Sequence, residues 1–224
     1  MIKFEHTEVI GWEHAIRGMR NPMNSWDKSD SFVCSEQDPF EQCERCHPEK
    51  CTIYDKKDHF IVGDNDLDLM TRLRNAGTDH RKFMRMLTVY VDITAPLYWW
   101  KEFDTYKVGT VANSCSTMHK IHAKAFTLDD FSHEHLTDVS MGVLCYTIDN
   151  LNNCRDLFLV DKDKTWWWQM IQLLPTSYNQ KRTVMLNYEV LANIYKSRRN
   201  HKLDEWHDFC DWISELPYSQ LITE

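Results

Sequence analysis

The chain has 224 residues, of which 42% are hydrophobic and 27% charged, so it can bury a sizeable core and is not a disordered polymer. Its 34 acidic residues outnumber its 26 Lys and Arg residues, and the net charge of −8 argues against binding nucleic acid through phosphates. No apolar run reaches the roughly 18–20 residues that span a bilayer, and the first residues lack a signal-peptide core. We therefore expect a soluble cytoplasmic protein with no membrane or nucleic-acid partner.

The first third of the chain contains two regular segments separated by an unusual one. Residues 1–30 read as a strand, a helix and a turn, and Pro22 ends the helix because proline disfavours the helical conformation of its predecessor. Residues 31–60 are polar and contain four of the eight cysteines. We interpret them as an insertion into a single α/β domain. A helix then begins near Asp64 and ends at Gly77.

The middle of the chain predicts a strand, a helix and a polar loop. The segment 84–93 alternates apolar and polar side chains and is rich in β-branched residues, which favours a strand. Thr94 can then cap a helix that carries Pro96 in its first turn and ends near Phe103. The segment 107–119 follows and consists mostly of small and hydroxyl residues.

The last third reads as mostly helical. The segment 138–150 predicts either a helix or a buried strand, and the apolar segment 166–174 stops at a proline. Two further helices are predicted over 183–195 and 203–213. No internal repeat and no Gly/Ser-rich or Pro-rich linker is present. The fold class we predict is α/β (α+β), with a mixed sheet packed against helices and a Cys-rich insertion at residues 31–60.

The cysteines of the insertion have a spacing that suits a metal ion. Cys43 and Cys46 form a C-x-x-C pair, and Cys34 and Cys51 would complete a tetrahedral zinc site. In a reducing compartment, four thiols this close are more often metal ligands than disulfides. Free thiols in a loop, a redox dithiol, and covalent haem attachment through Cys43, Cys46 and His47 are the alternatives.

The polar segment 107–116 is the place where the sequence predicts a ligand. Gly109 permits close approach of a backbone, and Lys107 supplies a positive charge. Short donors and acceptors fill the rest of the segment: Thr110, Asn113, Ser114 and Ser116. Such a set can hold a phosphate or a pyrimidine edge. The alternative is a turn whose side chains satisfy its own backbone.

The order of these elements resembles the flavin-dependent thymidylate synthase (ThyX) family. That family has an Arg-His-Arg motif followed by Ser, Asn-Glu, Ser and Arg, and residues 103–118 occupy its place here. Lys107 would match the second arginine. Thr110, Asn113 and Ser116 would match the later serine, asparagine and serine, with one extra residue before Asn113.

The downstream resemblance begins at Leu174-Pro175, which resembles a Leu-Pro that precedes a strand and helix in the family. Asn187-Tyr-Glu-Val-Leu then looks like the family's Asn-x-Arg-Ser-Leu, and Arg198 resembles the arginine that closes that helix. Several family arginines are replaced. Glu189 stands at the arginine of Asn-x-Arg, and Phe209 stands at the final one.

The resemblance implies reductive methylation of deoxyuridylate, with FAD as cofactor and methylenetetrahydrofolate as carbon donor. It assigns His80, Lys107, Thr110 and Asn187 to the cofactor. It assigns Asn113, Ser116 and Arg198 to the nucleotide substrate. It also implies a homo-oligomer, a tetramer in the family, and no catalytic residue is assigned. The competing hypothesis is a non-catalytic interaction protein on the same scaffold, with a zinc-bound lobe as its contact surface.

Overall fold

A computed structural model describes residues 2–34 and 59–224. The strands are β1 (Lys3–Ile10), β2 (Phe32–Cys34), β3 (His59–Ile61), β4 (Thr88–Pro96), β5 (Val111–Ser114) and β6 (Asn179–Asn187). The helices are α1 (Trp12–Arg20), α2 (Asp64–Asn75), α3 (Leu97–Phe103), α4 (Asp138–Asp161), α5 (Lys164–Leu173), α6 (Tyr188–Arg198), α7 (Asp204–Ser214) and α8 (Gln220–Thr223). No helix among these residues is long and apolar enough to cross a membrane.

Four strands form one sheet in the order β1-β4-β6-β5. Its longest pairing joins β4 to β6, from Thr88 opposite Asn187 to Pro96 opposite Asn179. β2 and β3 form a separate two-stranded ribbon. The predicted α/β class is confirmed. We expected a mixed sheet. Every pairing of the described strands in this sheet is instead antiparallel.

The main core lies on one face of this sheet. Val89, Val91 and Ile93 of β4 alternate toward the helices and are fully buried, whereas Tyr90 between them is 39% exposed. Large aromatic side chains from the helices fill the space opposite: Trp99, Trp100, Phe103, Tyr188, Trp206 and Phe209. Burying one large apolar side chain contributes about 1.5–3 kcal/mol. This face is therefore the principal source of stability.

A second hydrophobic cluster lies where α4 and α5 pack together. Leu144, Ile148 and Leu151 of α4 and Met170 of α5 are buried in it. The chain between β5 and α4 adds Phe131, which pairs with Tyr178 across an isolated bridge before β6. The segment 138–150, predicted as a helix or a buried strand, is thus the first half of a helix.

The segment that we predicted as one helix over 183–195 is divided between two elements. Its first five residues belong to β6, and α6 follows directly. Asn187 caps α6, because its Oδ1 accepts a hydrogen bond of 3.1 Å from the Val190 N–H. Val184 pairs opposite Val91 in the buried sheet. The prediction was wrong here because sheet pairing with a distant strand overrides a local helical pattern.

The boundaries of the preceding strand and helix also differ from the prediction. The strand predicted at 84–93 begins later, because Arg81–Arg85 form a 3-10 turn. Thr94 and Pro96 both lie in β4, so Thr94 does not cap the next helix. Pro96 is extended, with ψ 151°, and α3 begins at Leu97. The helix predicted at 203–213 is confirmed within two residues as α7, and the apolar segment 166–174 coincides within two residues with α5.

A buried carboxylate ties the two-stranded ribbon to the main core. Asp66, in the first turn of α2, is fully buried. Its Oδ1 accepts a hydrogen bond of 2.6 Å from Arg20 Nε. Its Oδ2 accepts hydrogen bonds from the hydroxyls of Ser29 (2.7 Å) and Ser31 (2.6 Å) and from the N–H groups of Asp30 (3.2 Å) and Ser31 (3.1 Å). These contacts fix the residues that lead into β2.

Most residues of the predicted zinc site lie outside the ranges 2–34 and 59–224. Cys43, Cys46 and Cys51 lie outside the described residues, and Cys34 is described only as the last residue of β2. Within the described ranges, no three His, Cys, Asp or Glu side chains are grouped so that they could hold a metal ion. Zinc binding by the insertion therefore stays a prediction.

Candidate functional site

The residues that follow α3 contact both ends of α6. At one end, the Tyr106 hydroxyl accepts a hydrogen bond of 2.8 Å from Arg198 Nε in the last turn of α6. At the other end, Gly109 lies against the first turn of α6. A Cβ at Gly109 would lie 3.0 Å from Asn187 Nδ2 and 3.1 Å from Val190 Cγ2. Its φ of +76° also requires glycine.

Two of the four residues assigned to a cofactor, Asn187 and Thr110, lie near the start of α6. Asn187 is its cap, and Thr110 follows the glycine that contacts this cap. The Thr110 hydroxyl is buried and has no hydrogen-bond partner among the described residues. Lys107 lies in the same segment and is exposed. The structure therefore leaves a hydroxyl donor beside this helix end, and an exposed ammonium group three residues earlier in the same segment, without a partner among the described residues.

His80, the fourth of these residues, is exposed in the turn before the 3-10 segment. The residue after it, Arg81, reaches the first turn of α6, where its Nε lies 3.5 Å from Glu189 Oε1. Arg81 also donates a hydrogen bond of 3.4 Å to Asn193 Oδ1. His80 thus sits next in sequence to a side chain that contacts α6.

Glu189 gives the start of α6 a charge opposite to that of the family motif. Its side chain is buried and is held by both Arg81 and Arg85, and Arg85 Nε donates directly to its carboxylate. This contact raises the pKa of Arg85, first through the hydrogen bond and then through the charge of Glu189. A carboxylate is favourable in the first turn of a helix but repels a phosphate there. Sequence reasoning noted the replacement and missed its partner, which is 104 residues away.

Arg198, which we assigned to the nucleotide, is engaged in an internal network. Its Nη1 donates a hydrogen bond of 2.7 Å to Glu102 Oε2, and its guanidinium lies 4.7 Å from the centre of the Trp206 ring. Glu102 Oε2 also accepts a hydrogen bond of 2.9 Å from Trp206 Nε1 and lies 3.3 Å from His201 Nε2. The Arg198 guanidinium is therefore contacted by Glu102, by the Trp206 ring and by the Tyr106 hydroxyl.

The other two residues assigned to the nucleotide lie along β5 and just beyond it. Asn113 is exposed and pairs opposite Thr183 of β6. The Asn187 cap is four residues further along β6, or about 13 Å away at the rise of a strand. Ser116 accepts hydrogen bonds from the backbone N–H groups of residues 118 and 119, of 3.2 and 2.9 Å. The structure thus places Asn113 and Ser116 in neighbouring positions of one segment, with no contact between them among the described residues, and places Arg198 in a different network.

Ser116 lines a cavity of about 350 Å³ that the sequence did not indicate. The cavity lies between the end of β5 and the second hydrophobic cluster. Its lining is Cys115, Ser116, Lys120, Ile121, Lys124, Phe126 and Tyr178. The two lysines appear in the sequence only as isolated charges, and the turn that brings them to Tyr178 has no motif of its own.

Comparisons with known proteins give a fold but no sequence family. No family model matches the chain, and no curated protein matches it. The solved structure of the flavin-dependent thymidylate synthase ThyX from Helicobacter pylori complexed with FAD and dUMP is similar, with a TM-score of 0.64 and 15% identity over 99% of this chain and 97% of that one. A second structure of that enzyme with FAD and dUMP gives a TM-score of 0.63 and 16% identity, over 99% and 95%. These likenesses show that the chain has a ThyX-like fold.

Proposed function

We propose that this protein is a flavin-dependent thymidylate synthase-like protein that binds FAD and a pyrimidine nucleotide. The observation that carries the proposal is the likeness in fold over 99% of the chain to an enzyme solved with FAD and dUMP. The uncommitted Thr110 hydroxyl near the start of α6 and the exposed Lys107 in the same segment support it. Such groups can donate to phosphate oxygens.

Titration of the purified protein with FAD, followed by flavin fluorescence and calorimetry, tests the proposal. We expect saturable binding of FAD and, in a second titration, of dUMP. Lys107→Gln should weaken FAD binding about fivefold, which corresponds to about 1 kcal/mol for one charge–phosphate contact. Lys101→Gln, which changes an exposed lysine on α3, is the matched control and should bind as the wild type does. Folded protein that binds neither ligand would refute the proposal.

If the bound ligands react, the reaction implied by the resemblance is methylation of dUMP with methylenetetrahydrofolate as the carbon donor. In that case the chain's part is to hold the flavin and the pyrimidine ring in register. Release of dTMP from dUMP, the folate and a reduced flavin is the direct assay. Product formation at limiting FAD that is about fivefold lower in Lys107→Gln, and unchanged in Lys101→Gln, would support turnover at this site.

A non-catalytic interaction protein is the second candidate, and two ion pairs favour it. Glu189 is paired with Arg85, and Arg198 is paired with Glu102. A guanidinium that is already bound to a carboxylate is not free to hold the phosphate of a substrate. Folded protein that binds no dUMP and forms no dTMP would select this candidate. The zinc-bound lobe that we assigned to it is tested separately by elemental analysis of the protein.

We also propose that the protein is a homo-oligomer, and α4 supplies the surface for contact. Val139, Val143 and Tyr146 are 81%, 64% and 76% exposed and follow one another at helical spacing. A stripe of exposed apolar side chains on one helix face is typical of a protein interface. Light scattering should give a mass above that of one chain for the wild type and for Asp149→Asn, and a lower mass for Val143→Glu. A monomeric wild-type protein would refute this proposal.

A further inference from the structure

A second cavity, of about 650 Å³, lies between β1 and the C-terminal half of α7. Its floor is apolar. Phe4 and Trp212 stack there, with ring centres 5.0 Å apart and ring planes 10° apart. The Trp212 side chain is buried, and its Nε1 donates a hydrogen bond of 3.1 Å to Thr7 Oγ1, which fixes the ring. Ile2 and Leu216 complete the apolar lining, and the volume lies within the range of small-molecule sites.

The rim of this cavity is acidic. Asp208, Asp211 and Glu215 line it, and all three are exposed. They follow one another at intervals of three and four residues, so they lie on one face of α7 with about 5–6 Å between neighbouring Cβ atoms. No Lys, Arg or His side chain within the ranges 2–34 and 59–224 forms an ion pair with any of them. Asp204, one turn earlier, is by contrast paired with His135 at 3.0 Å.

This placement of carboxylates is unfavourable for the helix that carries them. The C-terminal end of a helix has a partial negative charge, and like charges three or four residues apart repel each other. The last turn of α7 contains no basic residue that would offset them. Partial burial raises the pKa of Asp208, and the charge of Asp211 raises it further. A cation bound at the rim would relieve this repulsion, and the apolar floor would contact an aliphatic part of the same ligand.

We propose that this cavity binds a linear aliphatic polyamine. Its ammonium groups would pair with Asp208, Asp211 and Glu215, and its methylenes would lie on the apolar floor. Amine nitrogens separated by three or four methylenes are about 5–6 Å apart in an extended chain, at about 1.5 Å per bond, which matches the spacing of the carboxylates. The site goes beyond the proposed function, because its ligand is a cation and none of its lining residues is assigned to FAD, the nucleotide or zinc.

Calorimetric titration with spermidine, whose amines are separated by three and by four methylenes, tests the inference. We expect saturable binding at a single site, with a dissociation constant of about 1 mM or lower at low ionic strength. Asp211→Asn should weaken this binding about fivefold, which is the effect of one charge about 4 Å away in water. Asp149→Asn, on α4 and outside the cavity, removes the same charge and should bind as the wild type does. This comparison separates a site from general attraction to a chain of net charge −8.

Two further measurements test the apolar floor and the free carboxylates separately. Hexaamminecobalt(III) has the same charge as spermidine but no methylenes, so it should bind more weakly. In thermal unfolding without ligand, Asp211→Asn should melt at the same temperature as the wild type or higher, because the change removes repulsion within α7. Spermidine should then raise the melting temperature of the wild type more than that of Asp211→Asn.

Several results would overturn the inference. They are the absence of saturable spermidine binding, equal weakening in Asp211→Asn and Asp149→Asn, equal affinity for the two trivalent cations, and a lower melting temperature of ligand-free Asp211→Asn. Binding of trilysine without binding of spermidine would also overturn it, and would point to a basic segment of another protein as the occupant. FAD binding should be the same in Asp211→Asn as in the wild type, so this test and that of the proposed function can fail independently.

Discussion

Replacing Asp66 by asparagine should strongly destabilise the folded protein. The carboxylate is fully buried and accepts five hydrogen bonds, one of them from the buried Arg20. An amide in its place cannot accept at both ends and leaves the guanidinium without a counter-charge. Removing one partner of a buried ion pair costs about 3–5 kcal/mol. For a chain of this length, that lowers the melting temperature by about 10 °C.

The dependence of stability on pH gives the same prediction a second readout. Burial alone would raise the pKa of Asp66, but hydrogen bonds from Ser31 and Ser29 and the contact with Arg20 hold the pKa below its ordinary value. A carboxyl group with a lowered native pKa stabilises the folded state above its unfolded pKa of about 4, and this contribution is lost as the pH falls through the native pKa. Asp66→Asn should therefore reduce the loss of stability in acid.

Thermal and urea unfolding followed by circular dichroism measure both effects. Asp68→Asn is the matched control, because Asp68 lies on the same helix, is exposed and pairs with Arg72 at i,i+4. A pair of this kind is worth about 0.3–0.5 kcal/mol, so this variant should unfold almost as the wild type does. A change of less than 1 kcal/mol in Asp66→Asn would refute the assignment of Asp66 as the anchor of this region.

Three further experiments test other parts of the structure. Gly109→Ala should cost about 1–2 kcal/mol in urea unfolding, because φ is +76° and the new Cβ meets Asn187 and Val190; wild-type stability would contradict this packing. Burial raises the pKa of Cys210 to about 11, so Ellman's reagent should modify it at least a hundredfold more slowly than Cys145, and equal rates would show that it is exposed. Arg198→Met should lower stability by about 1.5–3 kcal/mol through lost hydrogen bonds to a charged group. If it instead lowers only the affinity for dUMP, Arg198 is a ligand contact and not a structural residue.

The elements that sequence patterns located well are those with strong local signals. The amphipathic pattern at 203–213 predicted α7, and the cap signal near Asp64 predicted α2, each within about two residues. Both patterns depend only on residues that are close in sequence, so they can be recognised without the rest of the fold. The class of fold followed from the same signals.

The failures have a common physical cause, which is that the deciding partner is far away in sequence. The last five residues of β6 were assigned to a helix because the pairing partner of this strand, β4, begins about ninety residues earlier. The pairing of Arg198 with Glu102 joins residues 96 positions apart, and no local pattern indicates it. The cavity at Ser116 likewise depends on Tyr178, which reaches it from another segment. Motif matching therefore located the region of the candidate site. Tertiary contacts decide which side chains in that region are free to bind a ligand.

The pairing of β2 with β3 has a consequence for what the chain tolerates between them. Cys34 pairs directly opposite His59, so the two ends of the intervening sequence are already held together by backbone hydrogen bonds. The entropy of closing a loop grows only with the logarithm of its length. Doubling the length of the intervening stretch should therefore add only about 0.6 kcal/mol to the entropic cost of closing it, which makes this position a natural attachment point for a foreign peptide.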